Sequence, residues 1–361
     1  MKKLCYYISG HGLGHASRSC HIINTLRQRH PQLAVEVVSD AHDWFFKGFL
    51  DSSVPVRRRT MDLGVLQRDS LVMQEEQTLQ RYREFLRCRE TLVCEEAKDL
   101  RQGGVSLVAA DIPATAFAAA AMAGIPGVGI SNFTWDWIYQ GLAEKFPDYQ
   151  DVLEALEADY GKASRLLRLP FHGDIPAIDT LEDLPLVARR GTREPREVRM
   201  AIDIPEGCRF GLVSFGGFGL QGYDFRPLAR LKNWVFVTEG EKNWKADNLR
   251  SLPAGMFPYP DLVRAADAVI TKPGYGIVSE AIANDTAVLY TSRGDFREQA
   301  LLVAGMRRYA RCRFIDNQAL RAGLWGEALE ELMRQPWPAE TLRSDGHLVA
   351  ADRLAQLVDE A

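Results

Sequence analysis

No charge of one sign dominates this 361-residue sequence: 44 basic and 48 acidic residues leave a net charge of −4, and a nucleic-acid partner has no electrostatic footprint. Long apolar runs are missing as well. The stretch from Ala114 to Ile130 is the longest weakly polar one, and Gly124, Pro126 and Gly127 interrupt it short of a membrane span. The apolar residues after Met1-Lys2-Lys3 are too few for the core of a secretory signal. Cysteine is sparse, at positions 5, 20, 88, 94, 208 and 312, with no C-x-x-C pair. Neither a zinc site nor a disulfide framework is expected, and reduced thiols in a cytoplasm are. No G-x-x-x-x-G-K-[ST] occurs, which excludes a P-loop kinase. There is no low-complexity tract and no short-period repeat.

What is present reads as two α/β halves, for which the length suffices. Short β-rich runs at 4–8, 34–39, 54–57, 105–109 and 127–131 alternate with helical patterns, the order of a parallel sheet with right-handed crossovers. Residues 67–102 lack glycine and proline and predict one long helix or a broken pair. Its Arg81, Arg83, Arg87 and Arg89, with Arg57-Arg58-Arg59, read as a solvated face, contact with anionic lipid being the alternative. Between about 170 and 205 the pattern decays, which puts a domain boundary near Arg190. A second alternation has strands at 210–215, 234–238, 268–270 and 287–290, and a final helix covers about 346–359.

Two strand-to-helix turns carry polar groups that packing does not require. The first reads Gly10-His11-Gly12-Leu13-Gly14-His15-Ala16-Ser17-Arg18, the second Thr271-Lys272-Pro273-Gly274-Tyr275-Gly276-Ile277-Val278-Ser279-Glu280. Glycine lets the backbone approach a ligand closely, and the free N–H groups of a helix start attract an anion, phosphate being the obvious one. A third glycine turn, Ser214-Phe215-Gly216-Gly217-Phe218-Gly219, ends the first strand of the second half. Doubly wound domains bind ligands at the carboxyl ends of their strands, so a substrate fits between the two halves.

These turns, with Glu298-Gln299, resemble those of nucleotide-sugar glycosyltransferases of the GT-B type, in particular the group of peptidoglycan N-acetylglucosaminyltransferases and plant-type glycosyltransferases. The first turn, with Ser131-Asn132-Phe133-Thr134-Trp135-Asp136-Trp137-Ile138-Tyr139, also resembles the segment preceding the kinase part of plant L-arabinokinases. The resemblance implies an α/β GT-B architecture: two Rossmann-like doubly wound parallel-sheet domains facing a central cleft. Residues 1–190 would form the acceptor-side domain, 191–345 the donor domain, and 346–361 a helix packing back on the first. The implied activity moves a sugar from a nucleotide-diphosphate sugar, UDP-linked, to a hydroxyl of a small-molecule, glycan or lipid-linked acceptor, with inversion. The nucleotide sugar is a co-substrate, no cofactor is expected, and membrane association has no support. No D-x-D carboxylate pair stands at a suitable strand end, so metal-independent transfer is expected, with helix N-termini and Lys272 stabilising the leaving diphosphate.

By the same resemblance Glu280 holds the ribose hydroxyls, while Gly274, Gly276 and Ile277 face the diphosphate. Lys272 stands where histidine is frequent, and Ile277 where serine or threonine is. Glu298 and Gln299 contact the donor sugar. Gly12, Gly14, Gly216 and Gly217 allow close approach to the diphosphate, and Phe257 belongs to a base-recognition loop or to the core. His15 matches the general base, oriented by Asp111, whose alternative is a strand-end cap; His11 competes with His15. Trp135 and Tyr139, with Asp136, form an acceptor platform or a packed aromatic cluster. A dinucleotide fold, suggested by Asp40, fails because His15 stands where the third glycine belongs. An epimerase, a phosphorylase or a non-catalytic nucleotide-sugar binder remains open on the same scaffold.

Overall fold

A computed structural model describes residues 2–68, 73–216, 223–240 and 246–361; Gly217 and Gly219 lie outside them. Among the described residues, the first sheet contains β1 (Lys3–Ile8), β2 (Ala34–Ser39), β3 (Val56–Arg58), β4 (Leu107–Asp111), β5 (Gly127–Ser131), β6 (Arg165–Arg168) and β7 (Leu181–Asp183). Its strands are parallel, in the order β3-β2-β1-β4-β5-β6-β7. The second sheet contains β8 (Arg209–Ser214), β9 (Trp234–Glu239), β10 (Leu249–Leu252), β11 (Ala268–Thr271), β12 (Ala287–Tyr290) and β13 (Cys312–Phe314), also parallel, in the order β10-β9-β8-β11-β12-β13. Both sheets reverse direction beside their first strand. That is the doubly wound arrangement that opens a crevice at the carboxyl ends.

Alternation sends successive side chains of each central strand to opposite faces, and helices cover both. Leu4, Tyr6 and Ile8 enter one buried cluster and Cys5 and Tyr7 another. On the first sheet the covering helices are α1 (Gly12–Arg29), α2 (Asp43–Phe49), α3 (Glu75–Gln102), α4 (Ala114–Ala123), α5 (Trp135–Ala143) and α6 (Gln150–Tyr160). Five of the seven alanines of α4 are buried, and Gly124, in the left-handed region at φ 75°, ends it. The second sheet is covered by α7 (Pro195–Ala201), α8 (Tyr259–Ala265), α9 (Tyr275–Ala283), α10 (Glu298–Tyr309), α11 (Asn317–Arg321) and α12 (Gly326–Arg334).

The last helix, α13 (Gly346–Glu360), packs on α1 of the first domain. Lys2 Nζ caps its end by donating to Val358 O at 2.8 Å and Asp359 O at 2.9 Å. The chain thus crosses between domains twice, and the crossings run side by side, with Val187 bridged to Asp345.

Several elements differ from the sequence expectation. The strand expected at 54–57 is β3, shorter and displaced, and β6 and β7 lie in or beside the region that reads as irregular. The 67–102 segment forms one helix from Glu75 onward. Two of its arginines are matched by acid, Arg83 with Asp151 and Arg89 with Asp159, and so are Arg57 with Glu96 and Arg59 with Glu95 at β3. No helix among the described residues is long and apolar enough to cross a membrane. All six cysteines are free.

Candidate functional site

Ile8, the last residue of β1, lies in register with Asp111, the last of β4. The chain turns at once into α1, whose first residue, Gly12, takes φ 69°, a conformation that glycine adopts without strain. His15 therefore stands inside the first turn of α1, not ahead of it, directly above the strand end that carries Asp111. His15 Nδ1 meets Asp111 Oδ1 at 2.8 Å. Arg18 Nη2, which can only donate, lies 3.1 Å from the same Nδ1 but has Asp111 Oδ1 as its nearer acceptor at 2.7 Å, so Nδ1 donates to the carboxylate and in the neutral ring the lone pair is on Nε2.

Asp111 serves more than His15. Arg18, one turn further along α1, donates from Nε to Asp111 Oδ2 at 2.6 Å and from Nη2 to Oδ1 at 2.7 Å, and Ser19 Oγ donates to Oδ2 at 2.9 Å. Burial pushes the Asp111 carboxyl up, but Arg18 and then His15 outweigh it and hold it at about 2. The strand-end aspartate is thus an ionised anchor for a histidine and an arginine together.

His11 is arranged differently. Val65 N donates to its Nδ1 at 3.3 Å, so the ring proton sits on Nε2. The ring packs edge-on to Trp135, with centroids 5.2 Å apart. A Cβ on Gly64 would come within 2.5 Å of the His11 side chain, which explains the glycine there. Burial first, then the charges of His15, Arg293 and Lys272, push its pKa down to about 3. A neutral ring whose lone pair is already engaged is a poor proton acceptor, so the geometry disfavours His11 as the base. Beneath the turn, Asp62 accepts from Ser9 Oγ at 3.0 Å and from Trp135 Nε1 at 2.8 Å.

Across the cleft, α9 starts after Gly274 with no side-chain cap, and α1 likewise starts uncapped. The two glycine turns face one another: a Cβ on Gly276 would lie 3.8 Å from Gly14 Cα. Arg18 also lies 4.9 Å from the centre of the Tyr275 ring. Lys272 is close enough to act on His11 electrostatically. Two positive helix ends this close favour an anion beside them.

Other expected site residues are placed otherwise. Glu280 is buried, and its Oε1 accepts from Arg189 Nε at 2.6 Å, so it does not stand free for two ribose hydroxyls; burial raises its pKa and Arg189 opposes that. Glu298 Oε1 accepts from Asn132 Nδ2 at 2.8 Å, and Gln299 Oε1 from Arg293 N at 2.7 Å. Ile277 packs its side chain against the core, leaving only its N–H for a ligand, and Phe257 is a core residue beside Phe210 and Leu212. Trp135 and Tyr139 are fully buried; they form the packed cluster and offer no ring face to the cleft. Asp136 is buried too, and burial raises its pKa. Gly216 takes φ 70° at the end of β8.

Sequence reasoning missed Asp62, Arg189 and Arg293 and gave no role to Arg18 and Asn132, which stand in the motifs it singled out. Only Arg18 left a usable signal, three residues after His15 and so on the same helix face. Near these residues a cavity of about 260 Å³ is lined by Val65, Met73, Ile138, Leu142 and Phe296, with Lys145 and Asp295 among its charged residues.

No family model matches the chain. Over 335 residues, 90% of its length, it is 29% identical to L-arabinokinase of Arabidopsis thaliana, and it spans 31% of that protein. Among solved structures it is similar to Phytolacca americana UGT2 complexed with UDP-2fluoro-glucose and pterostilbene, at 13% identity and a TM-score of 0.65, covering 100% of this chain and 95% of that one. It is similar to the glycotransferase of kitacinnamycin at 18% identity and a TM-score of 0.64, covering 99% and 94%. MurG of Acinetobacter baumannii matches at 13% identity and a TM-score of 0.60, covering 100% of both chains. At such identities the likeness is one of fold, and the fold of this chain is GT-B: two Rossmann-like domains facing each other across the glycine turns.

Proposed function

We propose that the protein transfers a sugar from a nucleotide-diphosphate sugar, UDP-linked, to a hydroxyl acceptor. The observation that carries this reading is the meeting of the uncapped starts of α1 and α9 beside a histidine whose Nδ1 is tied to Asp111 at 2.8 Å. The diphosphate lies against the N–H groups of α9 near Gly274, Gly276 and Ile277, with Lys272 adding charge. His15 Nε2 takes the acceptor hydroxyl proton as the oxygen attacks the anomeric carbon. The bond from that carbon to the phosphate oxygen breaks, and its electron pair leaves with the diphosphate. Helix ends and Lys272 offset the charge that develops there without a metal ion. One displacement of this kind inverts the anomeric carbon.

Glu280 keeps Oε2 for the ribose while Arg189 holds Oε1. Gln299, whose Oε1 is held by Arg293 N, offers its amide nitrogen to the donor sugar, and Glu298, with both oxygens held by Asn132 and Arg293, reaches the sugar only by sharing those contacts. The apolar cavity between α5 and the loop before α10 takes the body of the acceptor.

Calorimetric titration with UDP, dTDP, GDP and their sugars, followed by product analysis with hydroxylated acceptors, tests the reading. His15→Ala should keep nucleotide affinity and lose ~10²–10⁴ in turnover, and wild-type turnover should survive a chelator. Binding of no nucleotide overturns the proposal. Unchanged turnover in His15→Ala removes the histidine from the chemistry, and a sugar epimerised with donor alone replaces transfer by epimerisation.

A further inference from the structure

Asn132, just past β5, touches both domains and is fully buried. Its Oδ1 accepts from Arg18 Nη1 at 2.8 Å, and its Nδ2 donates to Glu298 Oε1 at 2.8 Å. A guanidinium only donates and a carboxylate only accepts, so one orientation of the amide satisfies both neighbours and the flipped one satisfies neither.

The contacts continue on either side. In the first domain, the other nitrogens of Arg18 hold Asp111, and Asp111 holds His15 Nδ1. In the second, Glu298 Oε2 accepts from Arg293 Nη1 at 3.3 Å, and the same nitrogen donates to Pro273 O, in the second glycine turn, at 3.1 Å. An unbroken buried chain therefore runs from one turn to the other, and Asn132–Glu298 is its link across the domain boundary.

We propose that Asn132 is a positioning residue that joins the His15–Asp111 pair to the loop before α10, so that the His15 ring is fixed only while the two domains are closed on each other. The physical reason lies in Arg18. Its Nη1 has Asn132 as acceptor, and in a buried, weakly screened site a donor left without one pulls the guanidinium off its remaining contacts. If Glu298 withdraws, the Asn132 amide is free to turn, and Arg18 loosens its grip on Asp111. A donor sugar that engages Glu298 then competes with or reinforces the same link; this consequence, unlike the link itself, rests on the transferase reading.

A polarity exchange tests the link with no nucleotide present. Asn132→Asp alone sets two carboxylates against each other. Glu298→Gln alone forces a donor against either Asn132 or Arg293. The double variant restores every contact, because the new carboxylate accepts from Arg18 and from the new amide, whose oxygen accepts from Arg293.

Each single change should lower the unfolding midpoint and move the ring resonances of isotope-labelled His15; the double should recover at least half of both effects. Additive losses in the double, or a His15 ring that does not respond to Glu298→Gln, overturn the proposal. Should Asn132→Asp fail to fold, Glu298→Gln by itself still decides through the His15 resonances. Neither result depends on whether a sugar donor binds.

Discussion

Asp62 sits under the first glycine turn with both oxygens engaged, by Ser9 and Trp135, yet its pKa is raised from 3.8 to about 6. Burial is the main cause, and the two hydrogen bonds oppose it incompletely. A carboxyl whose folded pKa lies above its unfolded one binds its proton more tightly in the folded state. Its contribution is therefore most favourable below pH 3.8 and is lost as pH rises through about 6, a change of about 3 kcal/mol. Asp62→Asn removes that change, and the amide can still accept from Trp135 and donate to Ser9 Oγ. Denaturant unfolding of both proteins should show the variant gaining on wild type by up to about 3 kcal/mol between pH 4 and 7. A constant gap would mean that Asp62 titrates normally. Of these polar residues, His15 and Asp111 were legible in the sequence, because His15 belongs to the glycine turn after β1 and Asp111 ends β4 two residues before a proline, the positions at which the resemblance places such a pair. Asp62 was not, since it lies in irregular chain and its partners are distant in sequence.

The helix α13 shows what one element contributes. It is a short amphipathic segment far along the chain, and it closes the first domain by burying Ala350, Ala351, Leu354, Leu357 and Val358 against α1. Arg29 clamps it from outside through Asp352, both contacts at 2.8 Å. Leu354 is fully buried, whereas Leu348 on the same helix is 37% exposed. Leu354→Ala should lose about 2–5 kcal/mol in urea unfolding, while Leu348→Ala changes stability by less than about 0.5 kcal/mol. Equal effects would mean that the helix does not pack as described. The long helices and most strands were readable from periodicity; β6, β7, β10 and β13 were not, and β7 and β13 show why. Each has three residues with charged side chains among them, too few to show an alternation.

Each sheet has buried clusters of its own, and a further cluster spans both halves. One buried cluster contains Leu4, Tyr6 and Ile8 of β1, Tyr275, Val278 and Ala281 of α9, and Ala350 and Leu354 of α13. With two chain crossings bridged at Val187–Asp345 and the Arg18–Tyr275 contact, the halves share apolar burial as well as polar links. Thermal unfolding should therefore show one transition, with far-ultraviolet circular dichroism and tryptophan fluorescence coinciding. Two resolved steps would mean that the domains fold independently and that the shared cluster adds little.

The order of strands and helices and the glycine turns were determined by the sequence alone, because periodicity and backbone freedom are local properties of a chain. They sufficed to propose two α/β halves; the histidine–aspartate pair came from the resemblance of the first turn and the β4 end to glycosyltransferase motifs. Tertiary structure decided the partners. Arg18 shares Asp111 with His15, Arg189 occupies one oxygen of Glu280, Asn132 joins Glu298 across the cleft, and Trp135 and Tyr139 turn inward. Each of these outcomes depends on which buried donor meets which buried acceptor once the sheets are closed. That pairing is set by long-range packing and by the free-energy penalty of leaving a polar group unsatisfied, and no spacing along the chain encodes it.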